Sequence, residues 1–149
     1  HYLIDYNKIR FIFYYKKIWI SFMRLIITFR VFAIIQVFMV LTTLTAPETV
    51  VKSFGLSYNT DTLLFMQFCA VFQLMLALVT FVLPSWLGIN LWKAAPTYVW
   101  LSLLPFFLKV YHISFGIVAI TNTFYVESSF WLGFAVVFYS FGKRMKLRF

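Results

Sequence analysis

Acidic residues are almost missing from this chain: Asp and Glu together number 4 in 149 residues, against 13 Lys and Arg. Charged residues of both signs make up only 11%, where an ordinary soluble domain carries about 25%. Cysteine occurs once, as Cys69, so an internal disulfide and a CxxC redox pair are both excluded, and cysteine says nothing of redox compartment. The lone thiol also excludes a quinone-reducing thiol enzyme of the four-span kind. Of the 2 histidines only His112 lies in an apolar segment, which excludes bis-histidine haem ligation. His, Cys and carboxylates nowhere cluster at metal-ligand spacing. Ser114, two residues from His112, faces elsewhere, so no nucleophile stands beside a base. The first apolar segment lacks the carboxylate of the small multidrug exporters, and P-loop, GxGxxG and N-x-S/T motifs are absent. No catalytic residue, metal or cofactor is assigned.

What the chain has is apolar bulk: 63% hydrophobic and 23% aromatic residues, with a mean hydropathy of +0.90. Such a composition belongs in a lipid bilayer. The net charge of +9 does not point to nucleic acid, because the basic residues flank apolar segments and form no stripe on a polar surface. The length leaves room for about four spans and no separate soluble domain.

Thr97–Ile120, TYVWLSLLPFFLKVYHISFGIVAI, is the most informative segment. As one helix it is long enough to cross a hydrocarbon core of about 30 Å, yet it carries Lys109 and His112 near its middle. A lysine there costs about 2.5–3.5 kcal/mol and calls for a partner. At 100° per residue Tyr98, Ser102, Pro105, Lys109, His112 and Gly116 share a bundle-facing side. Leu101, Leu104, Leu108, Tyr111 and Phe115 share a lipid-facing one. Lys109 and His112 together read as an intramembrane relay or ligand site, or as a polar patch satisfied by Gln36, Gln73, serines and backbone carbonyls. Glu127 is the one acid that can approach. With helix ends near Ile120 and Phe124, His112 lies about 12 Å deep and Glu127 about 5 Å, so a stretched His112–Glu127 contact is within reach and Lys109–Glu127 less so.

Three further spans are expected at 25–44, 62–83 and 124–142, making an all-α polytopic membrane protein, a four-transmembrane-helix bundle. In the first, Ala33, Gln36, Val40 and Thr43 share a small, weakly polar face; in the second, Met66, Ala70, Gln73, Ala77 and Thr80 do the same. Ala-x2-Gln-x6-Thr occurs in both, a pattern that a hairpin duplication would leave. Between them Thr45-Ala46-Pro47-Glu48 fits a capping box with Pro47 in the first turn. A short interfacial helix with Val50, Val51 and Phe54 on its apolar side follows, stopped by Gly55. Asp61 is the expected cap of the second span and Pro84 its end. Trp86, Gly88, Trp92, Lys93 and Pro96 mark a turn with interfacial tryptophans, and Lys143, Arg144, Lys146 and Arg148 close the last span.

With four spans, Arg24, Arg30, Lys93 and the basic tail fall on one side. Lys52, Glu48, Asp61 and Glu127 fall on the other, which puts both termini in the cytoplasm. The bacterial inner membrane and a eukaryotic endomembrane fit this equally. Residues 1–22 are dominated by Ile, Tyr, Phe and Lys, and composition shifts at Met23. They read either as translated upstream sequence or as an interfacial segment with Lys8, Arg10, Lys16 and Lys17 near headgroups; 23–149 is a single membrane domain.

The order of a first span, the loop Ala46-Pro47-Glu48-Thr49-Val50-Val51-Lys52-Ser53-Phe54-Gly55-Leu56 with its Pro-x6-Phe-Gly-Leu pattern, and a directly following second span resembles the small four-span membrane proteins related to the ergosterol-biosynthesis scaffold family. The resemblance implies a non-catalytic bundle that gathers partner membrane proteins, and it transfers no site residues. The expected function is a non-enzymatic scaffold or accessory subunit with a membrane-protein partner or homo-oligomer and no nucleic acid. The alternative is a small oligomeric transporter or a lipid- or quinone-binding protein using Lys109 and His112.

Overall fold

The structure, a computed structural model, describes residues 6–118 and 120–146, with side chains for Lys16 and from Ile18 onward in that range. The headgroup contacts expected of Lys8, Arg10 and Lys17, and the place of Arg148, lie outside the described residues. Every described element is helical: α1 (Tyr6–Thr45), α2 (Pro47–Ser53), α3 (Thr60–Leu87), a 3₁₀ segment (Gly88–Lys93), α4 (Ala95–Ser114) and α5 (Asn122–Lys146). Three stretches are long and apolar enough to cross a membrane: Ile18–Thr45, Thr60–Lys93 and Asn122–Lys146, with mean hydropathies of 2.3, 2.1 and 1.2. They mark an integral membrane protein. α4 is not among them, because Pro105, Lys109 and His112 dilute its apolar content and it stops short of the expected end.

Contacts fix the arrangement. Gln73 meets Met39 and Arg30 lies over the Phe81 ring, so α1 and α3 run antiparallel. Tyr98 stacks with Phe138 and Lys109 pairs with Glu127, equal steps along α4 and α5, which are antiparallel too. α1 packs on α3 and α5, and α5 packs on α4, giving the spatial order α3–α1–α5–α4. The helices next to each other in sequence, α3 and α4, are therefore the outer pair.

The core is an aromatic layer. Phe29, Phe32 and Phe138 have no exposed surface and Tyr98 only 4%. Phe32 meets Phe134 and Phe138 edge to face at 4.9 and 5.4 Å between centroids, and Phe29 meets Tyr98 and Phe138 at 4.6 and 4.9 Å. Between helices in lipid there is little hydrophobic drive to associate, so such ring pairs, worth about 0.5–1.5 kcal/mol each beyond area burial, carry much of the specificity. The predicted small faces of α1 and α3 are inward: Ala33, Gln36 and Val40, and Ala70, Ala77 and Thr80, are all buried. α5 approaches the start of α4 closely at Gly142, where a Cβ would stand 2.6 Å from the Ala95 Cβ.

Helix ends depart from expectation in four places. The capping box does not form: α1 runs on to Thr45, whose hydroxyl donates to its own helix at the Leu41 carbonyl (2.8 Å), while Glu48 pairs with Lys52 at 2.6 Å. Pro47 does open α2, with Val51 buried, and Gly55 at φ 73° follows its end. α3 is capped by Asn59, whose side chain accepts from the Thr62 N–H at 2.8 Å, and Asp61 sits in its first turn. Pro84 does not end α3, which continues to Leu87 with the proline buried inside it. Most consequentially, α4 ends at Ser114 instead of Ile120. Ile117 N–H bonds the His112 carbonyl at 2.8 Å and Gly116 takes φ 66°, a left-handed stop that glycine adopts without a Cβ penalty.

Gly142→Val is expected to lower the thermal unfolding midpoint of the detergent-purified protein, since overpacking costs about 1–3 kcal/mol. Gly133→Val is the control: it lies on the same helix, its added Cβ meets nothing within 4 Å, and its midpoint should be unchanged. Equal melts for the two variants would refute the close α4–α5 approach.

Candidate functional site

α3 and α4 touch at one end of the bundle and part toward the other. Where they meet, Thr80 Oγ1 lies 2.7 Å from Tyr98 Oη. The threonine has one proton and donates it to the Leu76 carbonyl at 2.6 Å, so Tyr98 donates to Thr80. Ser102 Oγ donates to the Tyr98 carbonyl at 2.8 Å. One turn beyond this clamp, at Leu76 and Leu101, a wedge-shaped cleft of about 880 Å³ begins. α3 lines one wall with Met66, Cys69, Ala70 and Gln73, and α4 lines the other with Leu101, Pro105 and Lys109. Gln36 and Met39 of α1 and Glu127 and Trp131 of α5 close its back, and Val50, Val51 and Phe54 of the α2 segment cover its wide end. Its volume is within the range of about 300–1,000 Å³ typical of small-molecule sites.

Lys109 and Glu127 form an ion pair, with about a fifth of each side chain exposed (20% and 21%). The Phe54 ring lies 5.0 Å from the Lys109 ammonium, adding a cation–π contact from the α2 loop. This differs from the sequence expectation, in which His112 was the nearer partner of Glu127. The reason is the early stop of α4. With helix ends at Ser114 and Asn122, Lys109 and Glu127 are each five residues from the α4–α5 turn, at the same depth of about 7–8 Å. Their position near the α4 C-terminus also suits a cation electrostatically.

The expected faces of α4 hold for most positions. Tyr98 and Ser102 are buried, Pro105, Lys109 and His112 are half-buried, and Leu104, Leu108, Tyr111 and Phe115 are exposed. Leu101 departs, being half-buried against the cleft, as does Gly116, which is exposed in the turn. Of the five residues singled out from the sequence, Lys109, Glu127, Gln36 and Gln73 line the one cleft. Gln36 is buried at 2% exposure, and Gln73 Nε2 donates weakly to Met39 Sδ at 3.8 Å. His112 lies one turn further on, in an adjoining cavity of about 260 Å³ that also touches Thr121 and Phe124. Lys109, Pro105, Phe54 and Leu56 border both spaces. The sequence reading missed the Thr80–Tyr98 clamp and the role of Phe54. Each residue was visible on its own face, but their meeting depends on helices that are not paired along their length.

Among the described residues no group of three or more His, Cys, Asp and Glu is placed to hold a metal ion. The cleft is a largely apolar volume bordered by the Lys109–Glu127 pair, and the Lys109 Nζ itself is buried. Comparison with protein-family models, with curated proteins and with solved structures finds no match.

Removing one partner of a buried ion pair costs about 3–5 kcal/mol, whereas replacing both by apolar groups is close to neutral; partial exposure lowers the first figure here. Lys109→Met and Glu127→Met are each expected to reduce the yield of monodisperse protein, and the double variant to restore it. A double variant as impaired as the sum of the two singles would show that the residues are not coupled.

Proposed function

We propose that the chain is a non-enzymatic integral membrane protein that holds an amphipathic membrane constituent in the cleft between α3 and α4. The observation that carries this reading is the cleft itself: an apolar wedge of about 880 Å³ with its one ion pair at the wide end. In this reading α4 completes a four-span bundle. Its length of 20 residues matches a hydrocarbon core of about 30 Å, and the Lys109–Glu127 pair removes much of the cost of placing a lysine there. Such a ligand enters sideways from the bilayer between the outer pair of helices, and no soluble vestibule is needed. The role suits an accessory lipid-binding subunit or a small transporter.

A scaffold role, as the resemblance to the ergosterol-biosynthesis scaffold family implies, is favoured by a different feature. The outer face of α3 presents Leu64, Phe68, Val71, Met75 and Leu78, each more than half exposed, a surface that can seat a partner's helix as readily as lipid. The two roles use opposite sides of α3 and are compatible.

Orientation follows from charge. The antiparallel helices bring Arg24, Lys93, Lys143, Arg144 and Lys146 to the end of the bundle away from Glu48, Lys52 and Asp61, which favours both termini in the cytoplasm. A reporter fused after Phe149 should be active only on the cytoplasmic side; activity only on the opposite side would reverse the assignment.

Cys69 is the chain's one thiol and lines the cleft, so it reports occupancy. Added membrane lipid extract is expected to slow N-ethylmaleimide alkylation of Cys69 in the delipidated protein several-fold. Leu101→Trp, which fills the cleft, should abolish the lipid dependence. Alkylation indifferent to lipid in the parent protein would sink the proposal.

A further inference from the structure

We infer that the end of the bundle carrying both termini is a binding surface for anionic phospholipid, with Arg30, in the seam between α1 and α3, holding the lipid phosphate. This surface lies away from the wide mouth of the cleft and does not depend on the cleft being occupied.

Counter-charge is what this end lacks. Arg24, Arg30, Lys93, Lys143, Arg144 and Lys146 are all exposed there. The described acids, Glu48, Asp61 and Glu127, lie toward the other end, where Glu48 pairs with Lys52 and Glu127 with Lys109. Among the described residues no cation of the basic end has a carboxylate partner. Aromatic rings stand beside them instead. Phe81 lies 5.7 Å from the Arg30 guanidinium, Trp92 5.8 Å from Lys93, Tyr139 5.7 Å from Lys143 and Phe141 5.9 Å from Arg144. A ring face attracts a cation but leaves its charge to be neutralised from outside the chain.

Arg30 has the sharpest need. It stands level with Phe81, six residues before α3 ends at Leu87, which puts it about 9 Å inside the end of that helix. A charge at that depth on a lipid-facing surface is costly unless it finds an anion. The Cβ of a helical residue tilts toward the N-terminus, so on α1 the long arginine stem leans toward the headgroup layer. There its planar fork can give a phosphate two parallel N–H···O bonds. Met23, Ile27 and Ile34 share the Arg30 face of α1 at helical spacing, and they and Phe81 are exposed. They form an apolar bed for acyl chains that a soluble polyanion would leave uncovered. A zwitterionic lipid also brings a phosphate, but its ammonium group meets Arg24 and the other cations of this end. An anionic headgroup meets no such repulsion.

The test reconstitutes the full chain in vesicles of dioleoylphosphatidylcholine with a minor fraction of dioleoylphosphatidylglycerol. The chain is then extracted in mild detergent and its retained lipids are counted by mass spectrometry. Phosphatidylglycerol is expected to be enriched over its vesicle share by at least about fivefold, the factor that one basic residue near an anionic lipid supplies. Arg30→Gln should lower the enrichment by about that factor, Arg30→Lys by less, and Lys52→Gln at the opposite end not at all. Extraction in about 1 M sodium chloride, where the Debye length falls to about 3 Å, should weaken it in the parent chain. Leu101→Trp, which fills the cleft, should leave it unchanged. Retention in proportion to the vesicle composition overturns the inference, as does an enrichment indifferent to salt or to Arg30→Gln, or one lost in Leu101→Trp. Displacement of the lipid by inorganic phosphate at constant ionic strength also overturns it, since the surface would then bind the free anion.

Discussion

The Lys109–Glu127 ion pair is the constraint around which the open end of this bundle is built. A lysine among apolar helices is tolerable only with a partner, and this chain holds so few acids that Glu127 is the one available. The pairing demands that α4 and α5 bring the two residues to one depth. The stop at Ser114, with Gly116 in the left-handed region just beyond it, meets that demand. A helix continued to Ile120 would carry Lys109 well past its partner and leave its charge unpaired.

The other end is held differently. There the aromatic layer of Phe29, Phe32, Tyr98 and Phe138 locks α1, α4 and α5 together, and the close approach at Gly142 brings α5 against the start of α4. Tyr98 belongs both to this layer and to the clamp on Thr80, so it joins α3 to α4 at the point where the cleft begins. With α1 and α5 between them, α3 and α4 have little else to bring them together further up. An open wedge follows from the order of the helices rather than from any special loop. The Lys109–Glu127 pair borders its far end, and the walls below are largely apolar.

Much of this was legible in the sequence because helical faces are local. Ala33, Gln36 and Val40, then Ala70, Ala77 and Thr80, and then Tyr98 and Ser102 repeat at helical spacing, and burial follows that spacing in the structure. Pro47 and Gly55 bounded α2 as their backbone preferences require. What was not legible depended on competition between neighbouring signals. Thr45 has two outlets for its hydroxyl, a cap for α2 or its own helix, and the longer helix won. Pro84 reads as a terminator, yet packing against the aromatic end carried α3 through it. Gly116 reads as part of a helical face and is instead the stop, which brings Lys109 level with Glu127 and leaves His112 one turn further on. The order of helices in space, and with it the cleft, lies beyond periodicity altogether.

The most direct measurement of the account's central claim is an experimental density map of the full chain in a lipid nanodisc. The account predicts α4 ending near Ser114, the Lys109 and Glu127 side chains in contact, and elongated density lying between α3 and α4 with its polar end at that pair. Helices α3 and α4 packed together along their length, with Lys109 turned away from Glu127, would contradict it.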